Sequence, residues 1–319
     1  WEDSLTATVD WDDGNGPQVL GGIQENVRPN ATLTFSVDHT YGDNGVYTVE
    51  VCVDDDDGGQ GCATTNVTIT NTDPTADIGE DVYIVHAGEN LDVSANSVDP
   101  GSDDLTATWD WDDGASDIDV NLVNDPLLDP PKSPTIQPRD VDFLASHIYG
   151  DACRYDLGLL VVDDDGGSAS DAAVVIITGN DDEVWGSGWW MNQYRDKNPN
   201  WFTTERLQYY LDIDTVMTDV FDEVRGPLDT RADAVDVLFL KQNQGSAEQI
   251  FERHLLTAWL NFANGGFDLD TMVDTDGDGV VDLTFADAVA AAESVRLDPT
   301  ATRSELLAQK DILEQIVSS

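Results

Sequence analysis

The run Asp274-Thr-Asp276-Gly-Asp278-Gly279-Val280-Val-Asp282 is the segment best suited to chemistry. It puts carboxylates at positions 1, 3, 5 and 9 of a loop, glycine at position 6, and the backbone carbonyl of Val280 at position 7. Oxygen donors at that spacing wrap a hard divalent cation, and the chemistry they predict is Ca2+ binding. Converging oxygens without a cation would repel one another. Position 12 is Phe285, where Glu or Asp is expected. Asp287, two residues on, is the candidate substitute, and Asp268 or Asp270 could reach in from before the loop. The competing reading is an Asp-rich turn that holds no ion.

Other acidic groups carry the same two readings: Asp54 to Asp57, Asp163 to Asp165, Asp110 with Asp112 and Asp113, and Asp181-Asp182-Glu183. Each is either a cation site or a solvated turn whose side chains cap their own backbone. Enzyme motifs are absent: there is no Gly-x-Ser-x-Gly, no His-Glu-x-x-His and no phosphate loop. Carboxylates are too abundant for one pair to stand out as a glycosidase couple. The expectation is a non-enzymatic protein. Trp189-Trp190 and Trp201 would stack on sugar or, more commonly for such residues, fill a core.

The 319 residues hold 64 acidic and 14 basic side chains, a formal charge of −50. That excludes nucleic acid as a partner and disfavours an anionic membrane surface. No run of 18 apolar residues occurs, so no membrane insertion is expected, and no signal peptide is visible. A chain so charged needs bound divalent cations or high ionic strength to stay compact. An extracellular calcium-loaded protein, a salt-loving source, or both would satisfy this. The sequons at Asn30 and Asn66 favour the extracellular setting and mark candidate glycosylation sites.

These residues must be positioned by a repeated architecture. Leu5-Thr-Ala-Thr-Val-Asp-Trp-Asp-Asp-Gly14 returns as Leu105-Thr-Ala-Thr-Trp-Asp-Trp-Asp-Asp-Gly114, and His39-Thr-Tyr-Gly-Asp43 returns as His147-Ile-Tyr-Gly-Asp151. The hairpin ending Asp55-Asp-Asp-Gly-Gly59 returns ending Asp163-Asp-Asp-Gly-Gly167, and a Pro-rich stretch from Ala115 to Arg139 holds the second copy's extra residues. Period-two alternation puts Leu5, Ala7, Val9 and Trp11 on one face, Leu33, Phe35 and Val37 on one face, and Tyr47, Val49, Val51 and Val53 on one face. Short alternating strands with Asp/Gly turns indicate antiparallel β-sandwiches. Cys52 and Cys62 fall on the outward face of one hairpin, a position that permits a cross-strand disulfide, with Cys153 left over.

The Trp-Asp-Trp-Asp-Asp-Gly core, the His-x-Tyr-Gly-Asp segment, the Val-Asp-Asp-Asp-Gly-Gly hairpin and the entry Asn71-Thr-Asp-Pro-Thr-Ala76 resemble the PKD family of Ig-like domains. So does Ser97-Val-Asp-Pro-Gly-Ser-Asp103 ahead of the second Trp strand. The resemblance covers about the first 180 residues. It implies two seven-stranded sandwiches used as spacers or adhesion modules, usually outside the cell. The first repeat starts close to its Trp strand, so either residues upstream of Trp1 or a strand donated from elsewhere completes it.

From about Asn180 the periodicity becomes helical, over 204–214, 230–242, 246–264, 284–295 and 302–317. Thr204, Thr230, Ser246, Thr284 and Thr302 are the expected N-caps, and Gly265 ends the third helix. The apolar helix around His254–Ala263 is expected at the centre. With the helix after it, the calcium loop resembles a dockerin or thrombospondin-repeat half site. Gly186-Ser-Gly-Trp-Trp-Met-Asn-Gln193 with His254-Leu-Leu is faintly similar to a helical terminal domain of large secreted prokaryotic proteins.

The expected fold class is therefore multidomain: two all-β Ig-like sandwiches at 1–72 and 73–180, then a mainly α-helical domain at 181–319. One contrast separates the repeats. Outward positions held by Cys52, Asp54, Asn66 and Thr68 in the first become Leu160, Val162, Val174 and Ile176 in the second. Exposed apolar strand faces are rarely left bare, so those four are expected under the helical domain or a neighbouring subunit. The expected function is an extracellular structural or adhesive protein, stabilised by Ca2+. It would belong to a surface layer or filament and contact copies of itself, other surface proteins or glycans. The alternative is a carbohydrate-binding or targeting tail of a larger secreted hydrolase.

Overall fold

The computed structural model describes residues 3–27, 32, 34–121, 136–181, 183–195, 201–241 and 245–318. The sequon residue Asn30, Leu33, Asp182 and most of the Pro-rich insertion lie outside the described residues.

The first repeat forms β1 (Asp3–Asp10), β2 (Gln18–Val27), β3 (Gly45–Asp55) and β4 (Gln60–Ile69). They make one sheet in the order β2-β1-β3-β4. Its core is small, with Ala7, Val9, Leu20 and Val49 buried and Trp11, Phe35, Val37 and Tyr41 packed partly against them. Of the alternating stretch around Leu33, Phe35 and Val37 that was expected to be a strand, residues 34–37 form no strand.

The second repeat contributes β5 (Val82–His86), β6 (Asn90–Asp99), β7 (Leu105–Asp110), β8 (Ser116–Asn121), β9 (Arg139–Ile148), β10 (Cys153–Asp163) and β11 (Ser168–Thr178). One sheet runs β5-β11-β10-β7-β8, and β6-β9 form a second. Strand β5 runs parallel to β11, and β7 antiparallel to β10. Alternation places Leu105, Ala107, Trp109, Trp111, Leu159 and Val161 inside, each at most 2% exposed.

The C-terminal part contains α1 (Ser187–Tyr194), α2 (Thr204–Met217), a π-helical turn at Val220–Val224, α3 (Arg231–Leu238), α4 (Ala247–Asn264), the short strands β12 (Met272–Val273) and β13 (Leu283–Thr284), α5 (Phe285–Leu297) and α6 (Arg303–Ile316). Four expected caps are in place: Thr230, Ser246, Thr284 and Thr302 each accept an amide of the first turn. The α2 cap is Thr203 instead of Thr204, one residue earlier. Helix α4 is the axis of the core; Leu255, Leu256, Ala258, Leu260 and Ala263 have no exposed surface. It ends at Gly265 in the left-handed conformation, φ 95°.

Compactness divides the chain into two units, and the division runs through the second sandwich, not at its ends. One unit is Trp1–Gly79, Val93–Ala145 and Gly158–Ala172; the other is Glu80–Asp92, Ser146–Leu157 and Ala173–Ser319. The expected boundaries at 72 and 180 therefore do not coincide with it. The reason lies within the second unit, where Ile84, Ala152, Val174 and Ile176 pack into the helical core. Backbone contact reinforces this. Gly179 N donates to Ala263 O at 2.8 Å, so close that a Cβ on Gly179 would lie 2.2 Å from Asn264 O.

His254 on α4 is 7% exposed. Burial, and then the Arg253 guanidinium beside it, push its pKa down from 6.5 to about 4. A depressed histidine favours the neutral folded form. Its contribution is complete above the unfolded value near 6.5 and is lost as pH falls toward 4. The shift corresponds to roughly 3 kcal/mol. The expected result is that His254→Leu, compared with the parent by calorimetry, shows a shallower loss of stability between these pH values. Parallel stability curves would refute the assignment.

Candidate metal centres

The 274–282 loop is closed by β12 and β13, which pair Met272 with Thr284 and Val273 with Leu283. Its aspartates wind the backbone around themselves. Asp274 accepts from the amides of Asp276 (3.2 Å), Gly277 (2.7 Å) and Gly279 (2.8 Å). Asp276 accepts from Asp278 N and Asp278 from Val280 N. Gly277 and Gly279 take φ of 77° and 86°, which glycine adopts without strain. The amide of Gly279, with those of its neighbours, holds the Asp274 carboxyl below its ordinary range. Asp274, Asp276 and Asp278 each offer an oxygen within 4.8 Å of the others.

Asp282 and Asp287 are not part of this group. The Asp282 carboxylate accepts from Thr275 N and Oγ1. Val280 exposes its side chain and donates its amide to Asp278. Asp287 is exposed on the first turn of α5. Position 12 serves the core, since Phe285 is fully buried and stacks on Phe267 at 4.9 Å. Asp268 is held by His86, Nε2 to Oδ1 2.8 Å. Three carboxylates remain, a donor set whose chemistry fits Ca2+ with other oxygens completing the shell.

A second carboxylate group has a different character. Asp99, Asp103 and Asp163 are all buried, at 0%, 4% and 3% exposure, and offer oxygens within 4.8 Å of one another. Asp163 accepts from Asp165 N (3.1 Å) and Gly167 N (2.7 Å), and its other oxygen accepts from Asn71 Nδ2 (2.8 Å). Asp99 Oδ1 accepts from Gly101 N at 2.6 Å. Burial, followed by the charge of Asp99, pushes the Asp103 carboxyl up to about 7. Asp163 was a sequence candidate; Asp99 and Asp103 were not. The signal was present, because Asp99 is in phase with the inward residues Leu91, Val93 and Ala95 of β6.

Elsewhere the acidic clusters cap turns. Asp112 N donates to Asp110, Ala115 N to Asp113, Asp57 N and Gly59 N to Asp55, and Glu183 N to Asp181. Cys52 and Cys62 are opposite one another in the β3–β4 ladder and are disulfide-bonded, while Cys153, half-buried, donates its Sγ to Arg154 O. Asn66 is exposed on β4. Of the four apolar residues expected to be covered, Ile176 is fully buried and Val174 packs on the helical core. Val162 is half-buried, whereas Leu160 is 44% exposed within this chain. Trp190 is buried, while Trp201 is 69% exposed beside Trp185 and Trp189.

Comparison with known proteins gives a PKD domain match over residues 2–70. No curated protein sequence matches the chain. Among solved structures, the PKD domain of an M14-like peptidase from Thermoplasmatales archaeon SCGC AB-540-F20 aligns at 14% identity and a TM-score of 0.25, covering 34% of this chain and 98% of that one. A tetra-tandem repeat in the extending region of a large adhesion protein aligns at 16% identity and a TM-score of 0.31, covering 55% of this chain and 42% of that one. Red sea bream transglutaminase aligns at 12% identity and a TM-score of 0.22, covering 55% and 26%. The N-terminal PKD domain is consistent with an extracellular adhesive or structural role. No helix among the described residues is long and apolar enough to cross a membrane.

Proposed function

We propose that this chain is a non-enzymatic, calcium-stabilised structural or adhesive protein of the cell exterior, acting in a surface layer or filament through contacts with copies of itself or other surface proteins. The PKD domain at residues 2–70 carries the reading. The second repeat is read as another PKD-like sandwich on the strength of its matching strands and motifs. The net charge of −50 supports cation loading, since it must be screened or neutralised in any dense assembly. The aspartates of the 274–282 loop supply one place for Ca2+.

Exposed Trp201, beside Trp185 and Trp189, favours a second reading as a glycan-binding tail of a larger secreted hydrolase. Electron microscopy of the purified chain, with calcium and then with a chelator, separates the two. Ordered assemblies that dissolve on chelation are the expected result. Dispersed particles in both conditions would overturn the structural reading. Dispersed particles that are retained on insoluble polysaccharide would install the second.

A further inference from the structure

The two repeats meet, within the first unit, at a concentration of carboxylates with an unusual floor. Asp99 has no exposed surface, and its Oδ2 receives no hydrogen bond from any described residue. A fully buried carboxylate oxygen without a donor is rare in native proteins, because desolvation is then uncompensated. That oxygen belongs to a carboxylate facing those of Asp103 and Asp163. Asp103 also faces a second group: Asp43, Asp103 and Asp165 offer oxygens within 4.8 Å of one another. Asp43 comes from the first repeat, and the other four from the second. Arg139 brings one positive charge to bear on Asp99, against these five carboxylates, and its guanidinium also bonds Asn121.

We propose that Asp99, Asp103 and Asp163 hold a divalent cation of the Ca2+ class, and that Asp43 and Asp165 extend this centre so that the ion fastens the first repeat to the second. The chemistry is that of a hard cation: buried carboxylate oxygens, one with no other partner, and no soft donor among them. The backbone is shaped to bring them close. A Cβ on Gly101 would fall 2.5 Å from Asp103 Oδ2, so only glycine lets that carboxylate approach. Ser102 N donates to Gly42 O at 2.8 Å, which sets the loop bearing Asp103 beside the loop bearing Asp43. A cleft of about 240 Å³ lined by Tyr41, Asp43, Asn71, Gly101 and Asp103 gives an ion access. In a tandem array, such a clamp makes the stiffness of the junction depend on cation supply.

This inference rests on the extracellular structural reading for its use, but not on the 274–282 loop, and the test keeps them apart. Calcium binding to the full chain is measured by equilibrium dialysis in an Asp278→Asn background, which disables the loop. One bound Ca2+ is expected to remain and to be lost in Asp99→Asn and in Asp163→Asn. Two variants guard against a folding defect in either. No residual binding in the Asp278→Asn chain, or binding unaffected by both further substitutions, would overturn the site. The clamp is read by hydrogen exchange at Ser102 and residues 42–44, expected to slow when calcium is added. In Asp43→Asn, calcium should still bind, weakened about 10-fold, while the slowing at Ser102 disappears. Slowing retained in Asp43→Asn would leave an ion site and refute the clamp.

Discussion

Chelating calcium lowers the melting temperature of the helical part of the chain by roughly 5–10 °C, as followed by helical circular dichroism; this is the expected result for the 274–282 loop. A site with a dissociation constant about 100-fold below the free Ca2+ concentration stabilises by about 2.7 kcal/mol. A unit of this size melts roughly 2–4 °C lower for each kcal/mol lost. Two substitutions separate the ion from the turn. Asp278 accepts one amide, from Val280, and asparagine keeps that acceptor. Asp278→Asn should abolish the calcium increment and leave melting in chelator unchanged. Asp274 accepts three amides on two oxygens. Asp274→Asn should lower melting in both conditions, because one acceptor oxygen is gone whether or not an ion is bound. If the parent melts identically with and without chelator, the loop is an Asp-capped turn and no more.

Asn261→Leu is expected to cost about 4 kcal/mol, seen as a lower urea midpoint. Asn261 is fully buried in α4 among apolar neighbours, and all its hydrogen-bonding capacity is used. Its Oδ1 accepts from Trp185 N (2.7 Å) and Trp190 Nε1 (3.1 Å). Its Nδ2 donates to Trp185 O (2.9 Å) and Thr257 O (2.8 Å). Leucine matches the volume but strands Trp185 N, Trp185 O and Trp190 Nε1 in the core. A buried polar group left unpaired costs about 1–3 kcal/mol, and relaxation recovers part of the sum. A loss below about 1 kcal/mol would mean that the segment entering α1 finds other partners. Asn261→Asp gives a cross-check: it keeps the acceptors, loses the donor, and should be destabilising chiefly at neutral pH, where a buried carboxylate would have to ionise.

The strand repeats, the helical segments and most caps were legible because each rests on local physics. Alternation in Leu5–Trp11 and Leu105–Trp111 sets which side chains face inward. Thr230, Ser246, Thr284 and Thr302 cap because their own hydroxyls reach amides three residues on. The 274–282 loop was legible for the same reason: Asp274, Asp276 and Asp278 lie two residues apart, and its glycines occupy the two left-handed positions. The missing twelfth ligand was visible too, but its cause was not. Phe285 is spent on a stack with Phe267 and Phe262, residues that only packing brings to it.

What the sequence by itself determined is therefore the set of elements and the acidic loop they flank, since those depend on residues a few positions apart. Tertiary structure alone decided the rest. It put Asp99 against Asp163, 64 positions later, and Asp43 against Asp103, across two repeats. It left Leu160 exposed while burying Ile176. It also drew part of the second sandwich into the compact unit of the helices, through the approach of Gly179 to the end of α4. Carboxylate clustering of this kind has no local signature beyond one aspartate in phase with a buried face. The free energy that gathers the group comes from the sheets around it, not from the acids themselves, which repel.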